Sequence, residues 1–569
     1  MTAGCSDSGP AAARVDPPRA PGGPATTPAA GGGMVKEGWF GGADGLHARV
    51  EIKGVERQAA RSVLRLALTP LASATPSAGA SGGAASPPGG TGATVPFAVS
   101  LLDPVGRRLY RPLTGGQPAQ LTMGAAQELS IEYPPLPQDV QRVTVITPGT
   151  AGEFTGVPVT TGTSAGTGSS PGTGTTPGGG TAPGTGTPPG GGTEPRNGRG
   201  PRTGGGPGFG VAFGDGAGRG LGAVPVGTTT SPSATATPAP STPAPSTTAT
   251  PSPGTTSPSG GAIDLYSITE GETRDVTSSP SDETLSLRAD VLFDSDSDKL
   301  SARAGQVLDQ AAADIRRTIS ATDRAVAIDG HTDGAGDASR NLDLSRRRAQ
   351  TVEKELKKRL GDTYTYTATG KGKADPVAKE GGSGDAAARA RNRRVEIAYK
   401  VRQGATIATG TPSATPGASA SPTPAAFRAQ DGTTVASRTA RFGQATRRLN
   451  VKPFYRDGAY LVAVFEIVNE GPGNTPADAS YAHQDYPGGA FTAFSVSVPG
   501  GKDVYRAVRI GAAAPGAYAS YVDPGRATFR TGVGQPARGF VYLPAPPGDV
   551  KKVTFDAGPF GKIDNVPVS

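Results

Sequence analysis

Tracts of Gly, Pro, Ser and Thr divide the chain and limit which parts of it can fold. The chain has 86 Gly and 55 Pro among its 569 residues, about a quarter of its length. Segments of this composition cannot bury enough apolar surface to offset the conformational entropy that folding removes. The sequence therefore predicts disordered segments at 1–36, 161–262 and 404–426, and three folded blocks at 37–160, 263–403 and 427–569.

Charge and composition narrow the class of partner. The formal net charge is +8, a small excess for 569 residues, and only 5% of the residues are aromatic. A mild positive charge suits an anionic cell wall or membrane surface, and no segment alternates basic and aromatic residues as RNA-binding segments do. No apolar run approaches the ~20 residues that span a bilayer. We therefore expect no nucleic-acid partner and no transmembrane helix.

The single cysteine, Cys5, stands in MTAGCSDSGP, after small residues and before a tail rich in Pro, Ala and Gly. This setting resembles the end of a bacterial lipoprotein signal, in which the cysteine receives the lipid. Such a signal needs a basic start and an apolar core, yet only Met1 to Gly4 precede Cys5. We therefore expect residues 1–36 to be a truncated lipoprotein signal and tether, and Cys5 to hold a stable lipid anchor in the membrane. The alternative is a thiol without a role on a disordered terminus.

The first and last blocks resemble each other in sequence. Each has an apolar run early in the block and two longer segments that match across the blocks. The early runs are SVLRLALTPL (62–71) and YLVAVFEIVNE (460–470); the first matching pair is 97–113 and 494–508, and the second is 133–159 and 542–568.

Short β-rich runs between Gly and Pro turns favour antiparallel sandwiches. The sequence thus predicts two related all-β sandwich domains, at 37–160 and 427–569, the first with a disordered loop at 73–93. They resemble the immunoglobulin-like domains of secreted actinobacterial lipoproteins, and we expect them to have a protein partner.

The middle block alternates strands with helices. Apolar residues alternate with a period of two in 285–293, which predicts a half-buried strand. They recur with i, i+3, i+4 spacing in two later segments, which predicts one helix capped by Ser301 and another from about Asn341 to Gly361. Further strands are predicted at 324–328, 364–369 and 393–400. The expected fold is an α/β sandwich with two helices on one face of a small mixed sheet.

A charged segment, GHTDGAGDASRNLDLSRRRA (330–349), joins a strand of this block to its second helix. At 100° per residue, Asn341, Ser345 and Arg348 share a strip at the edge of the apolar stripe, while the two arginines before Arg348 point to solvent. Arg348 offers a two-pronged donor suited to a carboxylate. Asp333, at the strand end, offers an acceptor suited to an ammonium. These residues favour a site for a zwitterion, near a helix N-terminus that itself attracts anions.

The same residues resemble the motifs of the OmpA-like peptidoglycan-binding domain, over about 285–400. The family pattern is G-H-T-D after a strand, a glycine three residues on, then N-x-x-L-S-x-x-R-A and later N-R-R-V-E. The chain has each part in order, from Gly330 to Asp333, at Gly336, from Asn341 to Ala349, and from Asn392 to Glu396.

The resemblance implies roles for four residues. Asp333 and Arg348 would hold the ammonium and the carboxylate of diaminopimelate in the peptide stem of the wall, and Asn341 and Arg393 would be supporting contacts. Arg340 and Lys371 depart from the family pattern, which often has aromatic residues at these positions. We expect these departures to alter affinity and stem-peptide preference.

Other readings of the charged segment remain open at this stage. His331 has no neighbouring His or Cys with which to form a nucleophile pair, and we expect it to form a hydrogen bond at the strand end. DSDSD (294–298) lacks the Gly and Glu of a calcium loop, which favours a polar turn and no metal site. Asp333 and Arg348 could also form a plain structural ion pair.

The resemblance implies a non-catalytic protein without a cofactor, which binds peptidoglycan at its middle block. Together with Cys5, it predicts an exported protein of the cell envelope, anchored at the outer face of the cytoplasmic membrane and bound to the wall. One alternative is that the β domains are the functional part and the middle block only localises them. Others are a part of a motor or secretion assembly and a wall-acting enzyme, although no S-x-x-K set or HExxH motif supports the enzyme.

Overall fold

A computed structural model of the chain describes residues 33–40, 46–73, 99–113, 122–161, 261–382, 384–402, 422–475, 479, 481–514, 518–525 and 532–569. Cys5 lies outside these residues, as do nearly all of the segments that the sequence predicts to be disordered. None of the helices within the described ranges has the length and apolarity needed to cross a membrane.

In the described part of the first block, two sheets enclose one apolar core. The strands are β1 (Met34–Phe40), β2 (Leu46–Arg57), β3 (Ser62–Ser73), β4 (Ser100–Asp103), β5 (Arg108–Tyr110), β6 (Gln127–Tyr133), β7 (Arg142–Ile146) and β8 (Glu153–Thr161). One sheet has the antiparallel order β1–β2–β3–β6 and the other β5–β4–β7–β8. Ile52 and Leu64 of the first sheet share the core with Val143 and Phe154 of the second.

The middle block has helices on a mixed sheet. Its elements are β9 (Ile263–Glu270), β10 (Arg274–Ser278), β11 (Asp282–Arg288), α1 (Ala289–Leu292), α2 (Ala304–Thr318), β12 (Ala325–His331), α3 (Ala338–Leu360), β13 (Thr365–Gly372), α4 (Asp385–Asn392) and β14 (Arg394–Lys400). The strand order is β9–β10–β11–β14–β12–β13, with only β12 and β13 parallel. Apolar side chains of α2 and α3, among them Leu308 and Val352, share a core with Val326 and Ile397 of the sheet.

Three details of the middle block differ from the prediction. Ser301 is not the N-cap of α2, which begins at Ala304 with Arg303 as its N-cap, because the Ser301 hydroxyl accepts a hydrogen bond from the amide of Arg303 in a turn before the helix. The predicted strand 285–293 ends at Arg288, because the chain turns into the short helix α1, whose Ala289 and Leu292 are buried one turn apart. Helix α3 begins at Ala338 and not near Asn341, since the side chain of Asp337 accepts hydrogen bonds from the first free amides of the helix.

The third block again consists of strands around an aromatic core. They are β15 (Ala436–Phe442), β16 (Ala445–Val451), β17 (Tyr455–Asp457), β18 (Tyr460–Gly471), β19 (Phe494–Ser497), β20 (Val504–Tyr505), β21 (Arg509–Ile510), β22 (Ser520–Tyr521), β23 (Pro536–Pro544), β24 (Lys552–Ala557) and β25 (Lys562–Pro567).

The pairing of these strands is consistent with the repeat seen in the sequence. The order β15–β16–β18–β23 corresponds to β1–β2–β3–β6 of the first block. The order β20–β19–β24–β25 corresponds to β5–β4–β7–β8. The matched segments therefore occupy equivalent places in two sheets of the same connectivity.

Strand β9 pairs with strands of all three blocks. Within its own block it pairs with β10. Its first residues pair with β5 of the first block, and residues further along pair with β21 and β20 of the third block. The sequence predicts these three blocks as separate domains, but in the structure they share backbone hydrogen bonds through one strand.

An apolar cluster lies where the three blocks meet. It combines Leu102 and Leu109 of the first block, Leu265 of β9 and alternate residues of β18, including Tyr460 and Val462, all buried. The intervening residues of β18 face the core of the third block itself. Both faces of β18 are thus covered by apolar side chains.

A buried ionic cluster also joins the first and third blocks. Glu153, 2% exposed, accepts hydrogen bonds from Arg538 at 2.6 Å and from the Tyr455 hydroxyl at 2.7 Å. Arg538 Nε in turn donates a hydrogen bond to the Asp431 carboxylate at 2.6 Å. Lys36 Nζ lies 3.8 Å from a carboxylate oxygen of Glu153. Burial by itself would raise the pKa of Glu153, but Arg538 and Lys36 outweigh it and lower this pKa to about 2.

We predict that Glu153→Gln destabilises the protein in a pH-dependent way. The folded-state pKa lies below the ordinary value of 4.5, so the contribution of the carboxylate is complete above pH 4.5 and is lost as the pH falls towards 2. The expected loss in the free energy of unfolding is about 3 kcal/mol at pH 7 and about 1.5 kcal/mol at pH 3. Urea unfolding at both pH values measures this, with the exposed Glu128→Gln as control. An equal loss at both pH values would contradict the assignment.

Candidate functional site

Three small contacts fix helix α3 against the end of strand β12. A Cβ on Gly330 would lie 2.1 Å from the carbonyl oxygen of Ser345, and one on Gly370 would lie 2.6 Å from the amide nitrogen of Arg346. Only glycine therefore allows the helix backbone to approach the two strands this closely. The Ser345 hydroxyl accepts a hydrogen bond from the amide of Gly372 at 2.9 Å. The glycine of G-H-T-D and the serine before Arg348 thus set the distance between strand and helix.

The turn between β12 and α3 is held by its own side chains. Asp337 accepts hydrogen bonds from the amides of Ser339 and Arg340 at 2.9 and 3.0 Å. The side-chain amide of Asn341 donates to the carbonyl of Ala335 at 2.7 Å. Asn341, predicted as a supporting contact, therefore braces the turn that carries Asp333.

Arg348 is held in place on one side and free on the other. It is 5% exposed, its Nε donates to the carbonyl of Ser297 at 2.8 Å, and its guanidinium lies 5.2 Å above the ring of Phe293. Burial lowers the pKa of Arg348, partly offset by nearby aspartates. Its two terminal nitrogens have no hydrogen-bond partner in the described part of the chain. Arg346 and Arg347 are exposed, as the helical geometry predicts.

Asp333 pairs with Arg393 and not with Arg348. Arg393 Nη1 lies 2.8 Å from one carboxylate oxygen of Asp333, while Arg393 Nε and Nη2 lie 2.8 and 2.6 Å from the two oxygens of Asp290. These hydrogen bonds, led by those to Asp290, raise the pKa of Arg393. The structural ion pair between Asp333 and Arg348 considered from the sequence is thus not formed.

Asp290 is a site residue that sequence reasoning missed. It stands in the first turn of α1, within the segment predicted as a continuous strand. Its charge offsets part of the lowering that burial causes in the pKa of Arg348, and its hydrogen bonds raise the pKa of Arg393. With it, the structure brings together two carboxylates and two guanidiniums: Asp290, Asp333, Arg348 and Arg393. The alternation of 285–293 gave no warning at Asp290, which falls at one of its polar positions; the available signal was Leu292, an apolar residue at the next polar position.

A second loop supports this group from behind. The Glu380 carboxylate accepts a hydrogen bond at 2.9 Å from the amide of Gly334, the residue after Asp333. It accepts another at 2.7 Å from the side-chain amide of Asn392, the residue before Arg393. Asn392 is fully buried and also accepts the amides of Val377 and Ala378 at 2.9 Å. The asparagine of the N-R-R-V-E motif therefore ties the loop after β13 to the start of β14.

His331 does not form the hydrogen bond that we predicted from the sequence. Its ring is buried, its Nε2 lies 3.7 Å from the Glu396 carboxylate, and neither ring nitrogen has a hydrogen-bond partner among the described residues. Residues 294–298 lie in the turn that accepts Arg348. The described part of the chain contains no group of three or more His, Cys, Asp or Glu arranged to hold a metal ion.

Known proteins are similar to this block in sequence. The OmpA family model matches residues 292–393. The chain is similar to outer membrane protein A of Bordetella avium, with 38% identity over 111 residues, which are 20% of this chain and 54% of that protein. The chain thus spans about half the length of this curated relative.

Two solved structures are also similar over this region. The cell wall anchor of the T6SS from Pseudomonas aeruginosa shows 30% identity and a TM-score of 0.21, over 23% of this chain and 89% of that one. The peptidoglycan-associated lipoprotein from Burkholderia pseudomallei shows 28% identity and a TM-score of 0.16, over 19% and 86%.

We predict that Gly330→Ala destabilises the protein, because the new methyl group would meet the backbone of α3 at 2.1 Å. The expected loss in the free energy of unfolding is about 1–3 kcal/mol. Gly305→Ala in helix α2 is the control: its methyl group would meet nothing within 4 Å, and it should stabilise the helix by about 0.5–1 kcal/mol. Urea unfolding compares the two, and a neutral Gly330→Ala would disprove the close approach.

Proposed function

The chain carries an OmpA-family domain at residues 292–393, and on this premise we propose that it is a non-catalytic cell-envelope protein that binds peptidoglycan without forming a covalent bond. Its ligand is the diaminopimelate of the stem peptide. The family match and the motifs G-H-T-D, N-x-x-L-S-x-x-R-A and N-R-R-V-E, which resemble those of OmpA-like peptidoglycan-binding domains, support the wall as its target.

The observation that carries this proposal is that, among the described residues, only the Nε of the Arg348 guanidinium has a hydrogen-bond partner. Its Nε and one face are occupied by Ser297 and Phe293, so the side chain is rigid before any ligand arrives. Its terminal nitrogens remain to form a two-pronged, charge-assisted contact with a carboxylate. Little side-chain entropy is then lost when the ligand binds.

The charge balance supports a zwitterionic ligand. Asp290 and Asp333 offset Arg348 and Arg393, so the group has no net charge and suits a ligand with both an ammonium and a carboxylate. The free end of diaminopimelate carries these two groups on one carbon atom. The carboxylate would bind Arg348, and the ammonium would approach Asp333, whose charge Arg393 partly neutralises.

The group is suited to binding and not to cleavage. Aspartates and arginines stabilise opposite charges, whereas a wall-acting hydrolase needs a nucleophile with its base or an equivalent activated water. Within the part of the chain that the structure describes, neither ring nitrogen of the buried His331 has a hydroxyl or thiol partner at hydrogen-bond distance. We therefore propose recognition as the activity of this site.

We also propose that a lipid at Cys5 anchors the protein at the outer face of the cytoplasmic membrane, so that the chain links this membrane to the wall. The sequence MTAGC supports the lipid. The two β blocks, of immunoglobulin-like type, would then be displayed between membrane and wall, where they are available to a protein partner. A second candidate function makes these blocks the functional part and the OmpA-family domain their means of localisation; the shared strand β9 favours it, because it holds both blocks to that domain.

We predict that Asp333→Ala and Arg348→Ala each weaken binding to peptidoglycan about 10- to 100-fold, the loss expected when one charge-assisted contact is removed. The measurement is co-sedimentation of the purified full chain with sacculi, with titration of a soluble stem peptide for the affinity. Arg346→Ala, on the exposed face of the same helix, is the matched control and should bind as the native chain does.

Arg348→Lys and Asp333→Asn guard against a loss of folding, because they keep the volume and, for lysine, the charge. Thermal unfolding of each variant checks that it is folded at the temperature of the assay. If both alanine variants are folded and still sediment with sacculi like the native chain, the site assignment is wrong.

We further predict a preference for diaminopimelate over lysine at the third position of the stem peptide. Lysine lacks the carboxylate that would bind Arg348 and leaves the guanidinium without its ligand, so its affinity should be at least about tenfold lower. Titration of two soluble stem peptides that differ only at this position measures the preference. Equal affinities would show that the free end of the residue is not what the site reads.

A further inference from the structure

A loop of the third block, residues 481–492, lies against the OmpA-family domain next to the candidate site. The carboxylate of Asp485, 5% exposed, crosses the boundary between the two blocks. One of its oxygens accepts a hydrogen bond from the backbone amide of Lys379 at 3.1 Å, and the other accepts one from Arg391 Nη1 at 2.6 Å. A single side chain of the third block thus holds both the loop after β13 and the end of α4.

The contact is part of a buried network. Arg391 Nη2 lies 2.8 Å from a carboxylate oxygen of Glu270 and donates a hydrogen bond to the Tyr486 hydroxyl at 2.9 Å. The Tyr486 hydroxyl donates to Glu270 at 2.6 Å, and Arg506 binds the other oxygen of Glu270 at 2.7 Å. Burial alone would raise the pKa of Glu270, but Arg506 and Arg391 outweigh it and lower this pKa. The third block is therefore docked here by charged groups that satisfy one another.

The two positions that Asp485 holds each precede a residue that shapes the site. Lys379 is followed by Glu380, which fixes the amide of Gly334 beside Asp333. Arg391 is followed by Asn392, which binds Glu380 and leads directly into Arg393. Asp485 therefore stands one residue away from both supports of the pair Asp333–Arg393.

The loop that Asp485 holds is rich in glycine. Gly381 and Gly382 follow Glu380, and Gly381 adopts a positive φ of 92°. Glycines of this kind lose the most conformational freedom when they are ordered. An outside contact that keeps the loop ordered lowers the entropy that ligand binding would otherwise have to overcome.

We infer that Asp485 is a positioning residue for the candidate wall-binding site, so that the third block completes a site that lies on the OmpA-family domain. This inference rests on the proposed function and adds to it a partner for the site within the same chain. Docking of loop 481–492 pre-orders Glu380 and Asn392, and through them the carboxylate of Asp333 and the guanidinium of Arg393.

The test is the affinity of full-length Asp485→Ala for the soluble stem peptide L-Ala–D-Glu–diaminopimelate at 25 °C. We expect a loss of about fivefold or more, the lower end of typical coupling between two sites. Hydrogen exchange at the amides of Lys379 and Gly334 should become faster in the same variant. Asp485→Asn, which can still accept the amide of Lys379 but loses its charge towards Arg391, should fall between the native chain and Asp485→Ala.

Lys502→Ala is the matched control. Lys502 pairs with Glu272 across the same boundary between blocks, but both side chains are exposed and neither touches the loops of the site. It should leave both affinity and exchange unchanged. A purely structural role for Asp485 would lower the melting temperature without changing the affinity well below that temperature.

The outcomes separate this inference from the proposed function. If Asp485→Ala binds the peptide like the native chain while Arg348→Ala does not, the positioning role is overturned and wall binding stands. If the native chain itself does not bind the peptide, the proposed function is overturned and this inference with it. Weaker binding by Asp485→Ala with an unchanged Lys502→Ala supports the inference.

Discussion

The backbone pairing of strand β9 is the constraint on which the arrangement of the three blocks depends. Its amides and carbonyls pair with β10 of its own domain, with β5 of the first block and with β20 and β21 of the third. A strand edge without such partners exposes polar backbone groups and invites other chains. Because strands of all three blocks pair with the backbone of β9, removing a block would expose an edge of this strand. It would also expose the apolar cluster around Leu265.

The OmpA-family domain could be predicted well because its sequence signals are local. Helical spacing separated Arg348 from its two exposed neighbours, and the structure buries Arg348 and exposes Arg346 and Arg347. The errors arose where a short-range rule was extended too far. Alternating apolar residues continue to Phe293 in the sequence, yet the strand ends at Arg288. Beyond it the buried Ala289 and Leu292 follow helical spacing. Helix α3 starts three residues earlier than predicted because the side chain of Asp337 caps it.

Contacts between the blocks could not be predicted in the same way, since they join residues far apart in sequence. One signal was present: YLVAVF at the start of β18 is apolar without interruption, which is typical of a strand buried on both faces. Its counterpart in the first block, SVLRLALTPL, is interrupted by Arg65. The buried charges of Glu153, Arg538 and Asp485 gave no such signal, because a charged residue in a sequence is more often exposed.

The pairing of Arg393 with two carboxylates has a consequence for recognition. An isolated aspartate of this kind would attract any cation, and an isolated Arg348 any anion. With Arg393 between Asp290 and Asp333, an approaching ammonium must share Asp333 with a guanidinium already in place, so a cation alone gains little. A carboxylate bound at Arg348 would add a negative charge to this balanced group, and an ammonium could then be accommodated beside Asp333. Under the proposed function, a ligand that brings both charges on one carbon atom would satisfy both halves of the site together, which would favour it over ligands that carry only one.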